Sequence, residues 1–381
     1  RDPTIVQPER LDSRRASEIC GQCHAISRFP NRDDFTKWAH EGYAFRPGDV
    51  LDDTRAIVRG TLDRNTPQMQ AHLANQPHFL EDSFWPDGSV RITGREYNGL
   101  LESPCYQRGE MSCLSCHTLH QQADDPRPAS EWADDQLKPG MRGNRACVQC
   151  HAGFDDEATL TAHTKHSAAS TGSQCQNCHM PYTTYGLLKA IRSHTIDNPS
   201  VAASVETGRP NACNQCHLDK TLAWAAEQLE RNWGIPQPIL SQPQKTVAAS
   251  LLWLLRGHAG QRALAAWTMG WAPARETGGT DWLAPYLGQL LVDPYDAVRL
   301  VAHRSLRRQP GFEGFRYDAL GNPADRVQTA RRAIAIWDQI GRNENRTVGA
   351  NVLIRPDGEL DREAIKSLLS RRDDRRVTFR E

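Results

Sequence analysis

Cys113-Leu114-Ser115-Cys116-His117-Thr118-Leu119-His120 holds two cysteines three positions apart, a histidine directly after them and a second histidine three residues on. Its first five residues form a pattern that recurs at Cys20-Gly21-Gln22-Cys23-His24, Cys147-Val148-Gln149-Cys150-His151, Cys175-Gln176-Asn177-Cys178-His179 and Cys213-Asn214-Gln215-Cys216-His217, so five copies stand in the first 217 of 381 residues. This is the attachment pattern for c-type haem. Residues three and four apart lie on one face of a helical turn. Each thiol can then bond a haem vinyl group as a thioether, and the following imidazole is placed under the iron as the proximal ligand. Zinc ribbons also use spaced cysteine pairs. They need pairs to combine, however, and five pairs leave one over. The expected cofactors are five covalently attached c-type haems, held by Cys20, Cys23, Cys113, Cys116, Cys147, Cys150, Cys175, Cys178, Cys213 and Cys216. Their proximal iron ligands are His24, His117, His151, His179 and His217.

The remaining histidines compete for the opposite faces. Of 14, five are proximal, and His258 and His303 lie beyond the last motif. His40, His120, His163, His166 and His194 are the expected distal ligands, with His72 and His78 as alternates. His40 sits on a short helix expected over 33–42. His120 leaves the same turn as His117, so it must serve a neighbouring haem. His163 and His166 share one face of a helix expected over 155–166. Met180 is too close to His179 to cross to the far side of that haem and is rejected. His303 falls on an expected repeat helix and is read as structural. The count permits two histidines on every iron. Six-coordinate low-spin haem changes little between oxidation states, which suits electron transfer and offers substrate no open position. No catalytic residue is singled out.

Composition narrows the rest. Lys+Arg and Asp+Glu stand at 46 each, so no basic excess points to nucleic acid. The longest apolar run, near Val247 to Leu255, is too short to span a membrane. The chain opens on Arg1, read as a mature form whose export signal was removed, and covalent haem attachment takes place outside the bacterial cytoplasmic membrane. The expected compartment is periplasmic or extracellular. The expected partners are redox proteins or further copies of this chain, as an oligomer or filament. Cys105 is the one cysteine outside the motifs. It reads as a buried thiol, with an intermolecular disulfide or a place beside a haem as the sharper alternatives.

The motif region has only about 44 residues per haem, too few for five ordinary apolar cores. The haems must fill the interior and pack against one another. Within it, residues 1–19 read as an extended polar arm, 55–64 as a short helix, 84–92 as a hairpin about Pro86-Asp87-Gly88, and 124–143 as a polar connector. A helical stripe runs from Leu218 to Trp233. From about residue 237 the composition changes. Helical hairpins are expected over 247–256 with 261–269 and over 282–292 with 296–308, then helices over 326–340 and 361–370 and a basic end. Stacked helix pairs of this kind resemble HEAT-type repeats. The expected fold is mainly α: a loop-rich pentahaem cytochrome domain over 1–236, then a HEAT-like helical-repeat domain with a C-terminal tail over 237–381.

The Cys113-to-His120 stretch, the His163…His166…Cys175…His179-Met180-Pro181 block and the later His194 resemble the multihaem cytochrome c superfamily that includes ammonia-forming nitrite reductase and hydroxylamine oxidoreductase. The resemblance implies closely stacked, largely bis-histidine haems in a mostly helical, loop-rich domain. The ammonia-forming enzyme typically carries a proximal lysine on its catalytic haem, whereas all five motifs here end in histidine. The expected function is therefore electron transfer along packed haems. The alternative is a nitrite- or hydroxylamine-type oxidoreductase with one substrate-accessible haem.

Overall fold

The computed structural model describes residues 5–186, 188–343, 349–375 and 377. The chain is mainly helical, with long loops and two small two-stranded sheets. It divides into two compact units: residues up to 180 together with 192–198, and residues 181–191 together with 199 onward. The composition change at 237 is thus not where the contacts divide. The fifth motif and the helix Leu222–Trp233 belong to the second unit.

The first unit is more helical than expected. Ser13–His24 is a helix, not the end of an extended arm; residues 1–4 of that arm lie outside the described residues. Its start is fixed by Asp12, whose side chain accepts from the Arg14 and Arg15 amides and so satisfies two otherwise orphan donors. The expected helix at 55–64 is not formed. Ala56–Ile57 is a strand paired antiparallel with Ser27–Arg28, which suits the β-branched Ile57 and Val58, both buried. His72 lies on the helix Pro67–Asn75, capped by the Thr66 hydroxyl. The hairpin about Pro86-Asp87-Gly88 is present, reduced to a single Phe84–Val90 bridge with Gly88 at φ +86°. The connector 124–143 contains the helix Ala129–Asp135.

Two small apolar clusters serve the start of this unit. Tyr97, Leu100, Leu51, Phe45 and Tyr106 form one; Met69, Leu80, Phe84, Val58 and Ile26 form the other. Over the described residues 107–180, which carry three motifs, Leu160 is the one apolar side chain that is buried. That stretch is tied by polar contacts instead. Asp125 and Arg127 pair at 2.6 Å, and Asn144 donates to the Ser173 carbonyl while accepting from the Cys175 amide.

The second unit has an ordinary protein core. Ala249–Arg256 packs on Ala259–Thr268, which packs on Asp296–Leu306; Ala284–Leu290 packs on Asp296–Leu306 and on Pro323–Asn343. Arg362–Leu369 closes against Ala249–Arg256. Leu251, Leu254, Leu255, Leu283, Leu287, Leu291 and Leu306 are fully buried, each contributing about 1.5–3 kcal/mol. Arg262 and Asp293 are buried together, with Nε to Oδ2 at 2.7 Å and Nη2 to Oδ1 at 3.1 Å. Arg262 also donates to the Gly257 and Asp373 carbonyls. The strands Tyr182–Gly186 and Lys189–Arg192, which had no sequence expectation, pair as a hairpin. The basic end of the tail falls partly on residue 376 and 378–381, outside the described residues. No helix among the described residues is long and apolar enough to cross a membrane.

Candidate functional site

Each motif is wound into a turn that groups its side chains. The first ends the helix Ser13–His24, the fourth is the helix Cys175–His179, and the fifth runs along Cys213–Cys216. The second starts on a 3-10 turn, Cys113–Ser115, and the third on Arg145–Val148. The amides of His117, His151 and His217 each donate to the carbonyl of their own motif's first cysteine at 2.9 Å. This closes the turn and carries both thiols and the imidazole to one side.

The residues between the cysteines anchor these turns. A Cβ on Gly21 would stand 2.8 Å from the Tyr97 ring, so the first motif needs glycine there. Asn177 donates to the Thr171 carbonyl and accepts from Arg192, both at 2.7 Å. Gln215 accepts from the Tyr182 amide and donates to the Tyr182 carbonyl, as a strand neighbour would.

Motifs of the first unit meet in pairs. The thiols of Cys20 and Cys113 hydrogen-bond, as do those of Cys147 and Cys175, and all are free thiols. Within each pair the shared hydrogen bond favours one thiolate, lowering Cys20 and Cys175, and disfavours the other, raising Cys113 and Cys147. Burial pushes Cys178 up to about 11. The Cys113 amide donates to Ser17 on the first motif's helix. Cys105, on the short helix Pro104–Arg108, lies within electrostatic reach of Cys147. Among the described residues no group of three or more His, Cys, Asp or Glu side chains is close enough to hold a bare metal ion.

Two histidine pairs face one another. The ring centroids of His117 and His194 are 6.3 Å apart with planes 26° apart. Those of His163 and His179 are 6.1 Å apart with planes 9° apart. Two imidazole nitrogens each about 2 Å from one metal ion, with each ring centre about 1 Å further out, put the centroids about 6 Å apart. The residues therefore fit a haem iron between each pair.

Protonation agrees with that fit. The Nδ1 atoms of His117, His179 and His194 stand 2.9, 2.8 and 3.2 Å from the carbonyls of Asp135, Asp197 and Arg192. A carbonyl only accepts, so Nδ1 carries the proton and the Nε2 lone pair is left for a metal. Burial lowers the pKa of His117, His163 and His194, keeping these rings neutral.

The backbone around His194 is shaped to hold it. Ser103 Oγ donates to the His194 carbonyl at 2.6 Å and accepts from the Ile196 amide. A Cβ on Gly99 would lie 2.8 Å from the His194 carbonyl carbon and 2.7 Å from the Thr195 amide nitrogen.

His24 is held differently from His117 and His179. Its Nδ1 lies 2.9 Å from Glu96 Oε2. Burial works against ionisation of Glu96. The hydrogen bond with His24 and the nearby His194 still hold it down at about 2. The Glu96 Oε1 accepts from the Gly94 amide, and Arg95 donates to the carbonyls of Gly94 and Cys23.

The other expected distal histidines are more scattered. His163 and His166 do not share a helix face. The helix Glu157–Thr164 stops at Lys165, which has φ +60°, and His166 lies beyond it with Nδ1 on the Thr164 carbonyl at 2.7 Å. His40, His78 and His120 are exposed. His72 packs edge-on against Phe79, and His217 lies against Trp224 with centroids 4.7 Å apart. His303 Nε2 is on the Phe315 carbonyl at 2.9 Å, the reverse of the ligand tautomer, and His258 Nδ1 caps a helix by accepting from the Gln261 amide. Glu96, Gly99, Ser103 and the Asp135 and Asp197 carbonyls had no sequence signal. Their roles arise only where distant segments meet.

No protein-family model matches the chain, and no curated protein matches it. Among solved structures it is similar to the outer cell wall cytochrome OcwA, with 15% identity and a TM-score of 0.35, over 84% of this chain and 64% of that one. The chain thus spans less than two thirds of that protein's length.

Proposed function

We propose that the chain is a multihaem c-type cytochrome that transfers electrons outside the cytoplasm. The observation that carries this reading is the pair of histidine couples, 6.3 and 6.1 Å apart at their centroids, each containing the histidine of a Cys-x-x-Cys-His motif. Haem iron with two histidine ligands exchanges single electrons with little change in its coordination.

In this proposal the ten motif cysteines supply the thioethers, and His24, His117, His151, His179 and His217 are proximal. His194 is the distal ligand on the iron of His117, and His163 on that of His179. His40, His120 and His166, with His72 and His78, remain the candidates for the other three. The chain's own part is to hold His117, His163 and His194 neutral, to fix the tautomers of His117, His179 and His194, and to keep the motifs close. The contacts Cys20–Cys113 and Cys147–Cys175 support haems packed in sequence. The scarcity of buried apolar side chains over 107–180 supports an interior built on the cofactor. We assign no catalytic residue.

The stacked helices after 237 are read as a HEAT-like docking surface for redox partners or further copies. The chemistry of thioether attachment supports export to the periplasm or beyond.

The test is a haem count per chain, from the pyridine haemochrome spectrum and the mass of the intact loaded protein. Five haems are expected. Fewer than five, or zinc in place of iron, would overturn the reading.

A further inference from the structure

The haem of the first motif is set apart by what holds its histidine. Where the structure gives a proximal Nδ1 a backbone partner, at His117 and His179, that partner is a neutral carbonyl. At His24 it is the carboxylate of Glu96, 2.9 Å away.

That carboxylate is fixed from several sides. Its other oxygen accepts from the Gly94 amide at 3.2 Å. The neighbouring Arg95 donates to the Cys23 carbonyl, inside the first motif, and to the Gly94 carbonyl at 2.6 Å. Asn98, one turn on, accepts from the Ile26 amide and donates to the Val58 carbonyl, both at 2.6 Å and buried. Residues 94–98 therefore brace the first motif and its exit, and Glu96 has little freedom to leave His24.

We propose that Glu96 is a positioning residue that lowers the reduction potential of the haem on His24 below those of the haems on His117 and His179. An anionic acceptor draws the Nδ1 proton more strongly than an amide carbonyl does. The imidazole then becomes a stronger donor through Nε2, and a stronger donor favours ferric over ferrous iron. The negative charge nearby acts in the same direction. Glu96 touches neither iron nor substrate; it acts through the hydrogen bond to His24, and its charge also reaches the nearby His117 and His194 more weakly. The inference rests on the haem reading above and adds an order among three of the potentials, with the haem on His24 below those on His117 and His179.

The experiment is a spectroelectrochemical titration of the haem-loaded full chain, comparing wild type with Glu96→Gln and Glu96→Asp. Glu363→Gln, on the exposed side of the tail helix, is the control. In Glu96→Gln one low-potential component should move upward by more than any other. Glu96→Asp, which keeps the charge, should lie closer to wild type, and Glu363→Gln should be unchanged. A Glu96→Gln titration that overlays wild type, or moves down, overturns the proposal. If Glu96→Gln fails to load haem, Glu96→Asp decides: a titration unmoved when the carboxylate is drawn back from His24 counts against it, and a smaller upward shift of one low-potential component supports it. The haem count is taken on the same samples. A wild-type count below five would defeat the haem reading itself, whereas five haems with unmoved potentials would defeat only the role of Glu96.

Discussion

At Gly99 the absence of a side chain makes room for the backbone that carries His194, the proposed distal ligand. The backbone of His194 and Thr195 passes so close that a Cβ there would stand 2.7 Å from the Thr195 nitrogen. Backbone cannot yield as a flexible side-chain end can. Gly99→Ala should therefore push the 194–195 segment away, at a cost of about 1–3 kcal/mol. The expected result is that the low-spin signal from the His117–His194 iron is lost or broadened while the haem count stays whole. An unaltered spectrum would mean that His194 does not reach that iron. At this scale spacing alone marks the motif cysteines and their histidines as the expected haem ligands, and His163 and His194 are two expected distal candidates that the structure sets beside a motif histidine. Their partners were not legible. His163 pairs with His179, 16 residues later, only because Lys165 takes up φ +60° and ends the helix before His166. The carbonyls that fix the tautomers, at Asp135 and Asp197, carry no side-chain signal at all.

Among the elements, the helices of the second unit were the most legible. Val247 to Leu255 and the Leu283 to Leu291 region are dense in apolar residues, and burial on several sides follows directly. The helix Ser13–His24 was missed because its sequence is polar around most of its circumference, and Asp12 was the one cue. The strands at 27–28 and 56–57 were missed because two residues carry no period. One polar contact matters more than the propensities. Arg262, on the helix Ala259–Thr268, is fully buried against Asp293 in the turn that precedes Asp296–Leu306. Asp293→Ala should leave the buried guanidinium with only the half-exposed Asp374 carboxylate, 3.5 Å away, as an ionic partner, at a cost of about 3–5 kcal/mol. Urea denaturation followed by far-UV circular dichroism measures it. A loss below about 1 kcal/mol would show that Arg262 finds its compensation elsewhere, from the carbonyls of Gly257 and Asp373.

Over the whole molecule, the two units are built by different means. The second closes on a conventional apolar core. The first has two small clusters before residue 111 and then a long stretch ordered by hydrogen bonds, motif turns and facing histidines. Composition alone suggested this contrast, through the few residues available per motif, but it placed the change at 237. The fifth motif shares its unit with the helices because Gln215 and Leu218 are packed among them, and no compositional boundary could show that. The account stands or falls on the two histidine couples as trans ligands of single irons. Low-temperature EPR of the oxidised, haem-loaded chain, compared with His163→Ala and His194→Ala, tests this most directly. The near-parallel planes, 9° and 26° apart, split the iron orbitals strongly and should give rhombic low-spin signals. Each variant should lose one such signal and gain one high-spin ferric signal, with the haem count unchanged. Low-spin spectra identical to wild type in both variants would contradict the account.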